Sequence, residues 1–216
     1  MTRTVLFDLD GTLLNTNELI FRSFEYVWEK QGREDIAREM MVPYMGAKLY
    51  DMFRELTGGD DAAIQEMIRL YREFNWENHD ELVDMFPGVK ETLHELREAG
   101  IRMGIVTTKI RKTTDMGLKL CGIDGYFDAI VTLDDVTHAK PHPEPVLQAL
   151  KQLGAEPASA MMVGDSPADI LAAKAAGVRS IAVGWSLKSL REYDPDASIK
   201  HMHELLDVAG LTRNAK

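Results

Sequence analysis

Val5, Leu6, Phe7 and Leu9 form an apolar run of strand character that closes on two aspartates, Asp8 and Asp10, followed at once by Gly11 and Thr12. Four further strand-like runs come much later, at Ile101 to Thr107, Ala129 to Thr132, Ala160 to Gly164 and Ser180 to Val183. Helical patterns separate them. Val89 to Ala99 follows Pro87-Gly88 and stops at Gly100, Arg111 to Leu120 stops at Gly122, Glu144 to Leu153 stops at Gly154, and Pro167 to Ala176 stops at Gly177. Strand and helix in alternation predict an α/β fold. Its parallel sheet is covered by helices on both faces, and the loops at the carboxyl ends of the strands form the site.

From about Thr16 to Leu82 the rhythm changes, with helical patterns and no convincing strand. ELIFRSFEYVWEKQG offers Leu19, Phe21, Phe24, Val27 and Trp28 to one broad face, and AAIQEMIRLYREFNWENHDELV supplies a longer helix. Residues 16–82 are therefore expected to be an all-helical insertion, with 1–15 and 83–216 building the sheet-containing core. Inserted after the first strand, this unit would sit over the site as a lid hinged near Leu14 to Asn17 and Asp80 to Pro87. The terminal LTRNAK is expected to fray.

A chain of 216 residues can bury a substantial core without disulfides, and 45% apolar with 28% charged residues is ordinary for a globular protein. No apolar run reaches the length of a membrane span. MTRTVLFDLD enters a strand directly and lacks the basic, apolar and small-residue regions of a signal peptide, so a cytoplasmic location is expected. The net charge of −10 disfavours nucleic acid and anionic membrane as partners, while an anionic small substrate needs only a local concentration of cations. Cys121, the single cysteine, lies in MGLKLCGI and reads as a buried structural thiol. His138 and His142 flank a Lys-Pro loop and His201 and His203 lie near the end; these four are read as structural or exposed, not as a metal cluster.

The candidate chemistry falls at strand ends. Asp8 and Asp10 are one residue apart, and close carboxylates repel unless a cation or a shared proton intervenes, so the pair suggests a metal site or a nucleophile beside a general acid. The second strand delivers Thr107 and Thr108, then Lys109. Lys140 precedes Pro141 in THAKPHPEP, and AMMVGDSPAD places Asp165 after a strand and Asp169 in the first turn of a helix, where an acidic side chain also caps free N–H groups.

In that order, DLDGT, a strand-end Thr, a Lys-Pro and GDSPAD resemble the four motifs of the haloacid dehalogenase superfamily of phosphotransferases. The resemblance spans nearly the whole chain and implies a Rossmann-like core with an inserted helical cap. It further implies that Asp8 is the nucleophile forming an aspartyl-phosphate, Asp10 the general acid and then base, and Mg2+ the cofactor. The ion would be held by the Asp8 carboxylate, the Asp10 backbone carbonyl and the Asp165 carboxylate, with Asp169 in support. Thr107 and Lys140 would bind the phosphoryl group, and Thr12 would tighten the loop after the aspartates.

Further segments, among them LLNTNELI, GIVTTK, VTLDDVTHAKPHPEP and GWSLKSLREY, resemble a bacterial pyrophosphatase subfamily. This implies pyrophosphate as substrate, with phosphoglycolate or another small organic phosphate as the alternative. Candidate groups for the second phosphate are Lys109 first, then Thr108, Lys48, Arg111, Lys188 and Arg191. Asn15, where capped relatives commonly carry an acid, removes one negative charge beside the expected site.

Overall fold

A computed structural model describes residues 2–33 and 35–211, so the final residues of LTRNAK lie outside the described chain. In chain order the elements begin with β1 (Thr4–Phe7), β2 (Leu14–Asn15), α1 (Asn17–Gln31), α2 (Arg38–Met41), α3 (Leu49–Thr57), α4 (Asp61–Glu77), α5 (His79–Leu82) and β3 (Asp84–Met85). They continue with α6 (Val89–Glu98), β4 (Arg102–Val106), α7 (Arg111–Leu120), β5 (Ala129–Val131) and α8 (Glu144–Leu153). The last are β6 (Ala160–Gly164), α9 (Pro167–Ala175), β7 (Arg179–Val183), β8 (Ala197–Ile199) and α10 (Glu204–Val208).

Six strands pair in parallel in the order β5-β4-β1-β6-β7-β8. Because side chains alternate along a strand, Val5 and Phe7 join one apolar layer while Leu6 joins the other. The first layer packs Met103, Ile105, Met161 and Val163 against Leu93 and Leu96 of α6 and Leu205 of α10. The second packs Leu6, Val106 and Met162 against Val146 and Leu150 of α8 and Ala172 and Ala173 of α9. The sheet is thus covered on both faces, as the alternation predicts. With β4 on one side of β1 and β6 on the other, the carboxyl ends of all three strands meet at one crevice.

Two elements depart from the sequence reading. The predicted long helix of residues 62–83 divides at Asn78, whose side-chain amide donates to the Phe74 carbonyl at 2.9 Å and whose backbone leaves helical geometry. β8 carries no advance signal because only Ile199 of its three residues is buried, too short a stretch for alternation to show. The tethers of the helical segment also pair, Leu14 with Met85 and Asn15 with Asp84, as an antiparallel ribbon. Asn15 is exposed there and faces Asp84 in the register.

The helices between the tethers carry their own apolar cluster. Phe24 on α1 stacks on Trp28 at 6.1 Å, meets Phe53 of α3 edge-on at 5.4 Å and Tyr71 of α4 at 4.7 Å. A buried polar link crosses the same pair of helices, Asn75 donating to Ser23 at 3.2 Å and Ser23 to the Leu19 carbonyl at 2.6 Å. Since Phe24 joins three aromatic partners, Phe24→Ala is expected to cost about 3–5 kcal/mol in urea unfolding. A loss under about 1 kcal/mol would show that the helices do not depend on this stack.

Candidate active site

The geometry of the site begins where β1 ends. Asp8 donates its backbone N–H to Val163 of β6 at 2.9 Å, so its position is set by the sheet itself. The chain then turns tightly, with Leu13 and Leu14 N–H both on the Leu9 carbonyl at 3.0 and 2.9 Å and Gly11 N–H on Leu14 O at 2.8 Å. Gly11 has φ of 80°, and a Cβ there would lie 2.4 Å from Asp165 Oδ2, so backbone conformation and space both require glycine. Trp185 holds the turn from outside, donating its indole N–H to Gly11 O at 3.1 Å.

Lys140 is the centre of the arrangement. Its buried ammonium donates to Asp8 Oδ1 at 2.7 Å, Asp169 Oδ1 at 2.6 Å and the Val106 carbonyl at 2.7 Å, using all three of its protons. Asp169 uses its second oxygen to accept from the backbone N–H and hydroxyl of Ser166 at 3.0 and 2.6 Å, closing a capping box at the start of α9. Asp169 thus caps α9 with one oxygen and holds Lys140 with the other. Gly164 allows this closeness, since a Cβ there would lie 2.3 Å from that of Asp169.

The second strand end supplies Thr107, buried, whose hydroxyl oxygen accepts the Lys109 N–H at 3.1 Å. Thr108 turns the other way and donates to the Gly46 carbonyl of the helical segment at 3.0 Å. Lys109 Nζ lies 3.2 and 3.1 Å from the two oxygens of Asp10. The two aspartates of the first motif are thus held apart by different lysines. Thr12 is fully buried and its hydroxyl is 3.4 Å from Asp165 Oδ1.

Donor oxygens of Asp8, Asp165 and Asp169 lie within 4.8 Å of one another. Burial pushes the Asp8 carboxyl up from 3.8 to about 7, against the opposing pull of Lys140, and the neighbouring carboxylates Asp169 and Asp10 push it further. Asp165 is likewise held well above its usual range, by burial first and then by Asp8 and Asp169. Lys140 stays firmly charged because its two carboxylates outweigh the cost of burial. The half-buried Lys188 is pushed down by burial, and its ammonium donates to the Met45 carbonyl.

Above Asp8 and Asp10 a pocket of about 320 Å3 runs into the helical segment, between Thr107, Thr108 and Lys109 below and Ile20, Phe24, Ile68, Tyr71 and Trp76 above. Lys48 and Arg72 also line it. The sequence reading included Lys48 but missed Arg72, which the periodicity of α4 hides among its solvated charges. Arg111 and Arg191 do not line this pocket; Arg111 bonds Ile130 O and Asp135 at 2.8 and 2.6 Å. Cys121 is half-buried at the end of α7, not fully buried as expected, because the helix exposes one side there. His138 and His142, read as structural or exposed and not as a metal cluster, are exposed and stand together with Glu144.

Residues 5–183 match the model of the haloacid dehalogenase-like hydrolases. The chain belongs to this family. It is 47% identical over 208 residues to pyrophosphatase PpaX of Bacillus cereus, covering 95% of each chain. Among solved structures it resembles a protein from Bacteroides fragilis described as a haloacid dehalogenase-like hydrolase, at 32% identity and a TM-score of 0.90, covering 95% of this chain and all of that one. CbbY from Rhodobacter sphaeroides, solved in complex with phosphate, is 26% identical with a TM-score of 0.83, covering 95% and 96%. The α/β core and hydrolase family implied by the sequence motifs are thereby shown, and no helix among the described residues is long and apolar enough to cross a membrane.

The raised carboxyls set a pH dependence. A carboxyl whose folded value exceeds its unfolded one binds more protons in the folded state, so its contribution to stability is present below about 3.8 and is lost as the pH rises towards about 7. In excess chelator, the melting temperature of the wild type relative to Asp8→Asn is expected to fall between about pH 4 and 7 and to level off above. A difference that does not change with pH would show that Asp8 carries no raised value.

Proposed function

We propose that this hydrolase is a Mg2+-dependent phosphohydrolase that works through an aspartyl-phosphate on Asp8. The observation that carries the reading is the contact of Lys140 Nζ with Asp8 Oδ1, which fixes the carboxylate and leaves Oδ2 without a protein donor among the described residues. Asp8 attacks phosphorus and the bond to the leaving oxygen breaks, while Asp10 gives that oxygen its proton. Asp10 then takes a proton from the water that hydrolyses the aspartyl-phosphate. Thr107, whose hydroxyl oxygen accepts from Lys109 N–H and whose hydrogen remains free to donate, and Lys140 hold the phosphoryl oxygens.

The donor set fits a hard cation. All its donors are oxygens, and Asp8 and Asp165 carry raised carboxyls that one added positive charge would ionise. We assign the ion to Asp8, Asp165 and the Asp10 backbone carbonyl; Asp169, with both oxygens engaged by Lys140 and Ser166, supports from outside. When bound, Mg2+ offsets phosphate charge at the reacting centre. The helices of residues 16–82 act as a cap, tied down in this structure by Thr108 on Gly46 O and Lys188 on Met45 O.

For the substrate we propose inorganic pyrophosphate, supported by the 47% identity to PpaX and by Lys48, Arg72 and Lys109 on the pocket wall. Lys109 has a specific part. Its ammonium sits against both oxygens of Asp10, and a leaving phosphate offers that ammonium another partner. A second reading follows from the apolar upper wall of Ile20, Phe24, Ile68 and Trp76, which exceeds what a second phosphate uses and favours a small organic phosphate. Location in the cytoplasm belongs to the same proposal.

Specificity decides between the two. Under one Mg2+ concentration, kcat/KM is expected to be at least about tenfold higher for pyrophosphate than for phosphoglycolate or sugar phosphates, a difference of about 1.4 kcal/mol. A preference for an ester overturns the pyrophosphate assignment and supports the second reading. Lys109→Ala is expected to reduce pyrophosphate hydrolysis more than that of an uncharged-leaving-group ester, and equal losses would remove Lys109 from substrate discrimination. Asp10→Asn is expected to lower turnover by about 10²–10⁴-fold, less for an activated aryl phosphate. Equal losses for good and poor leaving groups would overturn the acid role.

A further inference from the structure

On the far side of the Lys140 loop, His138, His142 and Glu144 bring ligand atoms within 4.8 Å of one another. Glu144 is pinned in place: its Oε1 accepts Thr137 N–H at 2.7 Å and its Oε2 accepts His138 N–H at 3.0 Å. The Thr137 N–H first, then the His138 ring, hold its carboxyl below the usual range, so it is ionised at neutral pH. His138 Nδ1 lies 2.8 Å from Glu144 Oε2, and His142 Nδ1 lies 4.0 Å from the same oxygen. The two rings sit side by side with centroids 4.6 Å apart. His142 Nδ1 accepts the Glu144 N–H at 3.2 Å, so this ring nitrogen carries no proton.

We propose that His138, His142 and Glu144 form a second metal site, suited to a borderline divalent ion such as Zn2+ and distinct from the carboxylate site that fits Mg2+. In a tetrahedral site with bonds of about 2.0–2.1 Å, donors stand about 3.3 Å apart. The two measured separations, 2.8 and 4.0 Å, bracket that spacing. Both imidazoles are exposed, at 62% and 50% of their side-chain surface. Two imidazoles and one carboxylate leave a fourth position for water, and nitrogen donors favour Zn2+ over Mg2+. The positive end of α8 opposes a cation here, so affinity depends on the ionised Glu144. The rings line a groove shared with Lys48 and Asp51 of the helical segment, which opens the site to solvent.

The test uses the full chain in saturating Mg2+, so that the carboxylate site is filled, with Zn2+ titrated against a chromophoric chelator. One Zn2+ per chain is expected at neutral pH, with at least tenfold weaker binding in His138→Gln and in His142→Gln and no change in a His201→Gln/His203→Gln double variant. Cu2+ bound to the wild type should show electron paramagnetic resonance splitting from two imidazole nitrogens, reduced to one in His142→Gln. Circular dichroism and hydrolysis with Mg2+ alone confirm that the variants fold. Binding that survives both single His variants, or that is lost only in Asp165→Asn, overturns the proposal, as does a Cu2+ spectrum without nitrogen splitting in the wild type.

Discussion

The buried ammonium of Lys140 is the interaction on which the arrangement of the site depends. Removing a charged amine from water is unfavourable, and here two carboxylates and one carbonyl replace its hydration shell at 2.6 to 2.7 Å. Each of those partners stands at the end of a different structural unit. Asp8 follows β1, Val106 closes β4 and Asp169 opens α9, so one side chain fixes the relation of two adjacent strands and the helix that follows β6. Such a pair is costly to break from one side, since it leaves a buried charge uncompensated. The same contact holds one oxygen of Asp8 and leaves the other open to the pocket.

Backbone approach is the second constraint, and it explains two glycines with different duties. Gly11 permits the turn that carries Asp10 away from Asp8 and lets the chain pass against Asp165, while Gly164 lets β6 pass against Asp169. Three acidic side chains can be collected in this small volume because β1 delivers Asp8 while the end of β6 and the start of α9 deliver Asp165 and Asp169. Their mutual repulsion, and their removal from water, are recorded in the raised carboxyls of Asp8 and Asp165. The fold therefore holds ready a site whose charge is unbalanced by itself.

The parts legible in the sequence were those with local signals. Alternation of apolar runs and Gly-terminated helices located α6 through α9 and four of the later strands closely, because each boundary is set by residues within a turn of it. The strand ends marked Asp8 and Asp165 for the same reason, while Lys140, in a loop, was singled out only by the order of the motifs. What the sequence could not show are relations across long separations: the tether ribbon pairing Leu14 with Met85, the bond of Thr108 to Gly46 O, and the place of Arg72 on the pocket wall. Asn78 divided a helix that periodicity ran through, since its side-chain amide competes for a helical carbonyl without changing the hydrophobic pattern. His138 and His142 came together across a turn in which His142 N–H meets the Ala139 carbonyl at 3.0 Å, and Glu144, two residues on, bonds both.

On the proposed reading, chemistry and selectivity are carried by separate layers of this molecule. Asp8, Thr107, Lys140 and Asp165 are positioned by the sheet ends and by one another, and none of their fixing contacts involves the helices of residues 16–82. The upper pocket wall comes almost wholly from those helices, whose aromatic cluster of Phe24, Phe53 and Tyr71 is built independently of the sheet. The two layers meet through few polar contacts, chiefly Thr108 with Gly46 and Lys188 with Met45. Substitutions along α1 and α4 can therefore reshape the space for a leaving group while the oxygens around phosphorus stay where the strands put them. Under that proposal the hydrolase chemistry rests on the core residues, and the choice between a second phosphate and an organic group rests on Lys48, Arg72 and the apolar wall that line the pocket.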